Sequence, residues 1–245
     1  MQRYFVSSKQ INMQKVEIID QDFHHIKNVM RMNIGDKVEV CDEKQNLYLV
    51  EITEFKKNSV ILNIIEKLDT NPELNTNITI GLGLTRTSKI EEVVRRITEL
   101  GASGFIPVEM NHSVVRLNKG MNLKQNRLEM IVKEASEQCK RIKLMQIHNP
   151  VKLVDLLNNL SSYDILVYAY EDLAKDSQNK LKKIAPSFKN KNVLILVGPE
   201  GGFSREEVAK LDSLGFIAVG LGPRILRLET APLYIMSAIS YELEL

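Results

Sequence analysis

The sequence predicts an α/β protein, a parallel sheet flanked by helices and preceded by a small β-rich module. Three observations predict it. From residue 78 onward, short apolar runs rich in β-branched residues alternate with helical periods, the pattern of strand–helix–strand units. Two of those runs close in glycine-proline turns: VLILVGPEGGFSREEV from Val193 to Val208 and FIAVGLGPRILRLETAPLY from Phe216 to Tyr234. Residues 37–65 instead alternate apolar and polar side chains at period two.

Lys37–Asp42, Leu47–Glu54 and Ser59–Ile65 read as strands, separated by turn-like Glu43–Asn46 and Lys56–Asn58. A helix over Asp22–Met32 precedes them, with Asp20 or Asp22 as its N-cap and Gly35 after its end. Together they suggest a small barrel. The polar segment Leu68–Asn77, which holds Pro72, reads as a linker. Ile78–Leu84 is the next strand, and Ser88 with Glu91 predicts a capping box on a helix that Gly101 ends. A strand at Phe105–Val108, a long helix over Leu123–Arg141 and a helix over Leu153–Leu160 follow. The strand Asp164–Tyr170, a helix near Ser177–Ile184 and the strand Val193–Val197 come next. Ser204 and Glu207 form a second capping box on a helix ended by Gly215. After the strand Ile217–Gly220, a last helix starts at Thr230, with Pro232 tolerated in its first turn.

Composition narrows the chemistry. No apolar stretch reaches membrane-spanning length, and residues 1–10 lack the apolar block of a signal peptide, which predicts a cytosolic protein. Cys41 and Cys139 lie far apart, and the four histidines have no metal-ligand spacing, so neither a disulfide framework nor a metal centre is expected. A net charge of +2 neither demands nor excludes nucleic acid, because binding depends on a local basic face.

The two turns carry the functional signal. Ligands of open α/β sheets bind beyond the carboxyl ends of the strands, and glycine lets backbone groups approach them. In Gly198-Pro199-Glu200-Gly201-Gly202 the Glu200 carboxylate can face a cation or a ribose hydroxyl; a tight strand-to-helix connection with an exposed Glu explains the same residues. The second turn gathers Arg224, Arg227, Glu229 and Thr230. Arg227 beside Glu229 fits an ordinary ion pair, or a guanidinium that binds phosphate or developing negative charge. Thr230 fits either a helix N-cap or a ligand contact. Gly81-Leu82-Gly83 lacks the third glycine of a dinucleotide fingerprint; there is no GxxxxGK[ST] loop and no GxSxG elbow.

LVGPEGGFSREE followed by LGPRILRLETAP resembles the paired C-terminal motifs of the ribosomal RNA small subunit methyltransferase E family. Ile90–Gly101, Ile106-Pro107-Val108, the run from Glu134 to Arg141 (EASEQCKR) and His25–Arg31 with Gly35-Asp36 extend the resemblance over nearly the whole chain. His112 stands where the family commonly has Arg. The resemblance implies a SPOUT-type parallel sheet with a C-terminal trefoil knot over 78–245, a linker over 71–77 and a PUA-like RNA-binding β-barrel over 1–70. It implies methylation of N3 of a uridine in 16S rRNA with S-adenosylmethionine, on the small ribosomal subunit, by a cytoplasmic homodimer without a metal. A SPOUT methyltransferase of another RNA site and a non-catalytic RNA-binding relative are the alternatives. The catalytic residues implied are Arg227, Glu229 and Glu200. The cofactor residues implied are Val197, Gly198, Pro199, Glu200, Gly201, Gly202, Leu221, Gly222, Ile225, Leu226, Thr230 and Ala231. RNA contact falls to the basic residues Arg3, Lys9, Lys15, His25, Lys27, Arg31 and Arg86, and to Glu134, Gln138 and Arg141, which helical spacing would put on one face.

Overall fold

The computed structural model describes residues 1–117, 123–171 and 181–245, which divide into two compact units. The smaller comprises residues 1–73 and 136–143; the larger comprises 74–135 and 144–245. Residues 177–180 of the expected helix near Ser177–Ile184 lie outside the described residues, and Leu181–Ile184 is helical.

The smaller unit is a six-stranded half-barrel. Its strands are β1 (Arg3–Phe5), β2 (Ile11–Asn12), β3 (Lys15–Ile19), β4 (Lys37–Cys41), β5 (Leu47–Phe55) and β6 (Ser59–Leu68), in the spatial order β1-β4-β5-β6-β3-β2. All neighbours are antiparallel except β1 and β4. Register shifts at Leu49/Val50 and Ile52/Glu54 let the two longest strands bend around the core. Val16, Ile18, Val38, Val40, Val50, Ile52, Val60 and Leu62 fill its interior.

The helix expected over Asp22–Met32 is shorter and differently built. Asp20–His24 is α-helical (α1) and His25–Val29 is a π-helical turn. Neither aspartate caps it: Ile19 occupies the N-cap position without a side-chain bond, and Asp20 has φ +54°.

The segment 136–143 belongs to the small unit because its groups are bonded there. Arg141 is buried; its Nε and Nη2 donate to Glu73 Oε2 at 3.0 and 2.6 Å. Glu73 Oε1 also accepts from the backbone N–H of Ile142 and Lys143. Arg3, also buried, pairs with Glu39 at 3.0 Å and donates to the carbonyls of Lys140 and Arg141. The Cys41 thiol donates to the Ile142 carbonyl.

In the larger unit all strand pairs are parallel, as the strand–helix alternation predicts. β7 (Asn77–Gly83), β8 (Gly104–Glu109), β9 (Gln146–Ile147), β10 (Val151–Lys152), β11 (Ile165–Ala169), β12 (Asn192–Val197) and β13 (Ile217–Val219) follow the order β10-β8-β7-β12-β11-β13, with β9 also on β8. Alternate residues face opposite sides. Ile78, Ile80, Leu82, Phe105, Val193, Ile195 and Val197 pack with α2 (Thr87–Glu99), α3 (Gln125–Gln138) and the C-terminal helix. Ile106, Val108, Leu194 and Leu196 pack with α4 (Leu153–Leu157), and with Leu211 of a helix beyond β12.

Helix ends correct several expectations. α2 starts at Thr87 with Arg86 in the cap position, so Ser88 lies inside the first turn and forms no capping box. Its C-terminal glycine, Gly101, has the expected left-handed φ of +88°. After α5 (Leu181–Ile184), α6 (Arg205–Ser213) carries the full reciprocal box of Ser204 and Glu207. α7 (Thr230–Glu244) has Glu229, not Thr230, as its N-cap. Arg227 already offers its carbonyl to the N–H groups of Thr230 and Ala231, so Thr230 is helical rather than capping.

Arg141→Ala would leave Glu73 uncompensated in a buried setting, at a cost of about 3–5 kcal/mol. Urea unfolding of the full chain checks this. Arg141→Lys recovers only part of the loss, because lysine lacks the guanidinium fork.

Candidate active site

The cavity that the larger unit builds at its strand ends is about 500 Å³, within the range of small-molecule sites. It lies beyond the carboxyl ends of β11, β12 and β13. Ala169, Tyr170 and Glu171 come from the first, the GPEGG turn from the second and residues 221–231 from the third. Those ends meet because β12 lies between β7 and β11, while β13 pairs on the far side of β11.

Close packing fixes the first turn. Leu82 pairs with Val197, so Gly83 arrives beside Pro199. A Cβ on Gly83 would lie 2.4 Å from the Pro199 nitrogen, and a methyl there would push the turn outward. Gly83 is therefore needed for space. Two strand residues earlier on the same face, Gly81 makes the same room for Leu196. Gly202 turns the chain at φ +68°, with its carbonyl carbon and Cα 3.3 Å from where a Gly198 Cβ would stand. From outside, Asn111 and His112 hold this turn. Asn111 donates to Ser204 Oγ and, through its backbone, to Glu207; His112 Nδ1 bonds the Gly201 carbonyl at 2.9 Å.

Val197, Gly198, Pro199, Glu200, Gly202, Leu221, Gly222, Ile225, Leu226 and Ala231 line the cavity. Gly201 and Thr230 do not: one faces His112 and the other opens α7. Arg227, Glu229 and Glu200 all reach the wall. Lys89 joins the two acids, with Nζ 3.2 Å from Glu200 Oε1 and 3.2 Å from Glu229 Oε2. Thr85 donates to Glu200 Oε1 at 2.6 Å.

These contacts set the charges. Partial burial works against ionisation of Glu200, but the Thr85 hydroxyl, its own backbone and Lys89 outweigh it and hold the carboxyl below its ordinary range. Glu229 is held low first by its own backbone N–H, against burial, and further by Lys89 and Arg227. The close carboxylates of Glu229 and Glu200 raise Lys89 above its ordinary value. All three are charged at neutral pH.

The lining suits a ligand with a flat apolar part, hydroxyls and a charged amino-acid end. Leu221, Ile225, Leu226 and Ala231 offer apolar surface, the glycines expose backbone groups, and charged side chains of both signs stand at the wall. Lys89, Ala169, Tyr170, Glu171, Phe203 and Leu228 also line it without a sequence expectation. The end of β11 was open to the strand-end rule; Lys89, distant in sequence from both turns, carried no local signal.

The RNA expectations fare unevenly. Lys27 Nζ lies 5.3 Å from the centre of the Phe23 ring, His25 Nδ1 bonds the Tyr4 hydroxyl at 2.9 Å, and Arg31 and Arg86 are exposed. Glu134 and Gln138 are exposed, Glu134 pairing with Arg95 at 3.6 Å. Arg141 is not on their face. α3 ends at Gln138, Lys140 turns back with φ +67°, and the guanidinium is buried against Glu73. Arg3 is withdrawn from RNA for the same reason, being buried and committed to Glu39.

A family model described as an RNA methyltransferase domain matches residues 72–240, and one described as an RNA methyltransferase PUA domain matches residues 18–65. The ribosomal RNA small subunit methyltransferase E of Bacillus subtilis is 38% identical over 254 aligned residues, covering 100% of this chain and 98% of that protein. The chain belongs to this family. A crystal structure of a hypothetical protein, 38% identical, superposes with a TM-score of 0.89 and 99% of both chains covered. The family's enzyme from Neisseria gonorrhoeae, solved bound to S-adenosyl methionine, is 25% identical with a TM-score of 0.81, covering 98% of this chain and 97% of that one.

Gly83→Ala is expected to cost about 1–3 kcal/mol of stability, as an overpacked site does. It should also weaken binding of a ligand at the GPEGG turn. Thermal unfolding and calorimetric titration with S-adenosylmethionine check the two effects; Gly215→Ala, where there is open space but φ is +80°, should cost stability through backbone strain yet leave ligand binding unaltered.

Proposed function

We propose that the chain methylates N3 of a uridine in 16S rRNA, with S-adenosylmethionine as donor, on the small ribosomal subunit. One observation carries the reading: both sequence motifs that resemble the family's meet at one cavity beyond three parallel strand ends. The donor supplies, when bound, an electrophilic methyl group on a sulfonium. The backbone of 198–202 and of 221–226 would hold it, with Ile225 and Leu226 against its apolar surface.

Uracil N3 is a poor nucleophile while protonated, so the site must favour the anionic base and align it; alignment alone is worth several kcal/mol. Arg227 is exposed at the wall and suits negative charge developing on a uracil oxygen, or a flanking phosphate. Glu200 and Glu229 suit orientation of cations better than proton removal. A carboxylate held below its ordinary range is a weak base at neutral pH.

The half-barrel, with His25, Lys27 and Arg31, would contact RNA together with Arg86. A homodimer and a trefoil knot over the C-terminal segment complete the proposal, with 1–70, 71–77 and 78–245 as barrel, linker and catalytic domain. Labelled S-adenosylmethionine incubated with small-subunit particles lacking the modification should place the label on N3 of a uridine in 16S rRNA. Label on another base would favour a methyltransferase of a different site; cofactor binding without transfer would favour a non-catalytic relative.

Arg227→Ala should slow methylation roughly 10²–10³-fold, the loss expected for one charge-stabilising donor. Its S-adenosylmethionine affinity should stay near that of the wild type; full activity would remove Arg227 from the reaction. The pH dependence has a defined sign. Carboxyls with lowered values contribute stability above the ordinary carboxylate range, about pH 4.3, and lose it as pH falls through their lower folded values. Between about pH 6 and 9 none of the three groups titrates, so the single-turnover rate should rise with pH as uracil itself deprotonates. An inflection near neutrality that disappears in Glu229→Gln would instead assign the proton to that carboxylate.

A further inference from the structure

Lys89 is the third residue of α2, in the connection after β7, and belongs to neither glycine-proline turn. Its ammonium nevertheless reaches both: Glu200 sits in the first turn, and Glu229 caps α7 at the end of the second. Both oxygens lie 3.2 Å from Nζ, so two carboxylates carried by separate loops stand close together on one wall. Like charges at such range repel, and one of them regains its proton unless a cation intervenes.

The two acids depend on that cation unequally. Glu200 has a second partner in the Thr85 hydroxyl. Glu229 Oε2 is buried, and among the described residues no group donates an aligned hydrogen bond to it; its close partner is the Lys89 ammonium. Without Lys89 that oxygen would lose its close cation and keep only its own backbone N–H and Arg227 as stabilisers of its charge, so the start of α7 and the loop leading into it would be held less firmly.

We propose that Lys89 is a positioning residue for the donor site, an ionic staple that holds the first turn and the end of the second at the spacing the donor requires. The donor part of this assignment rests on the reading of the cavity as the S-adenosylmethionine site. The staple part stands on the ion pairs alone. Lys89 acts through Glu200 and Glu229 rather than on the reacting atoms. Among the described residues, the charged groups lining this cavity are those three together with Arg227, Arg224 and Glu171, and of these Arg227 also acts on Glu229.

The test uses the full chain with Lys89→Met and Lys89→Arg, both first shown to unfold cooperatively. In the ligand-free protein, amide hydrogen exchange in Lys89→Met should quicken about tenfold in both 198–203 and 221–229, since local opening free energy falls in both loops. Affinity for S-adenosylmethionine should fall about tenfold by calorimetry. The deficit should widen as pH is lowered toward about 5, because carboxylates without their cation regain protons nearer the ordinary range. Lys89→Arg should recover most of the affinity and the flat pH profile, a recovery that loss of packing alone would not give. The staple is overturned if exchange quickens in one turn only or in neither. The donor role is overturned if Lys89→Met binds S-adenosylmethionine as the wild type does, with the same pH profile. Wild-type protein that fails to bind it, while Lys89→Met still loosens both turns, would refute the donor reading and keep the staple.

Discussion

The nitrogen of Pro199 sits where Gly83 has no side chain, and the geometry of the cavity depends on that approach. Parallel pairing of β12 with β7 brings the two positions level. The missing Cβ then lets the first turn lie flat against the end of β7 instead of arching away. Two residues on, Thr85 is within hydrogen-bond reach of Glu200, and one helical turn further Lys89 reaches the same carboxylate. Widening the gap at Gly83 by the thickness of a methyl group would lengthen every one of these contacts together.

Around that anchor the wall is built of fixed charges. An ammonium lies between two carboxylates, a hydroxyl supports one of them, and guanidinium groups stand at the rim. Their orientation is set by folding, so little reorganisation remains when a substrate arrives, which is the condition under which dipoles and charges lower a barrier most. The same arrangement restrains the acids. Groups so well matched to their ionised forms hold counter-charges in place and accept protons poorly. The chemistry available here is therefore electrostatic and positional more than acid–base.

Much of this was legible in the sequence, for identifiable reasons. The strand runs at 78–84 and 193–197 are buried on both faces, as short β-branched runs of parallel sheets are, whereas the run at 217–219 forms an edge strand with Ile217 exposed. Ser204 with Glu207 is a local motif and formed as expected. Ser88 with Glu91 has the same spacing but failed, because α2 begins one residue earlier, at Thr87, with Arg86 in the cap position. β1 and β2 were hidden by shortness: two or three residues carry no readable period. Arg141 and Arg3 read as surface cations because their partners, Glu73 and Glu39, are remote in sequence. Lys89 was missed for that reason too. Gly81 and Gly83 were visible in the sequence only as an incomplete dinucleotide fingerprint; the structure makes them spacing devices for Leu196 and Pro199.

The border between the two compact units falls inside α3, between Ala135 and Ser136. A ribosome delivers a chain from its N-terminus, and domains generally fold as they emerge. Here the unit that is translated first gains its last contacts late. Until residues 136–143 have left the exit tunnel, Glu73 lacks its arginine, Arg3 lacks its carbonyls, and the Cys41–Leu47 cluster lacks Ile142. The half-barrel thus waits, unfinished, through the synthesis of a large part of the other unit. Completion of the small unit lags its translation, and a cut at the linker would strip it of the buried Arg141–Glu73 pair and of Ile142.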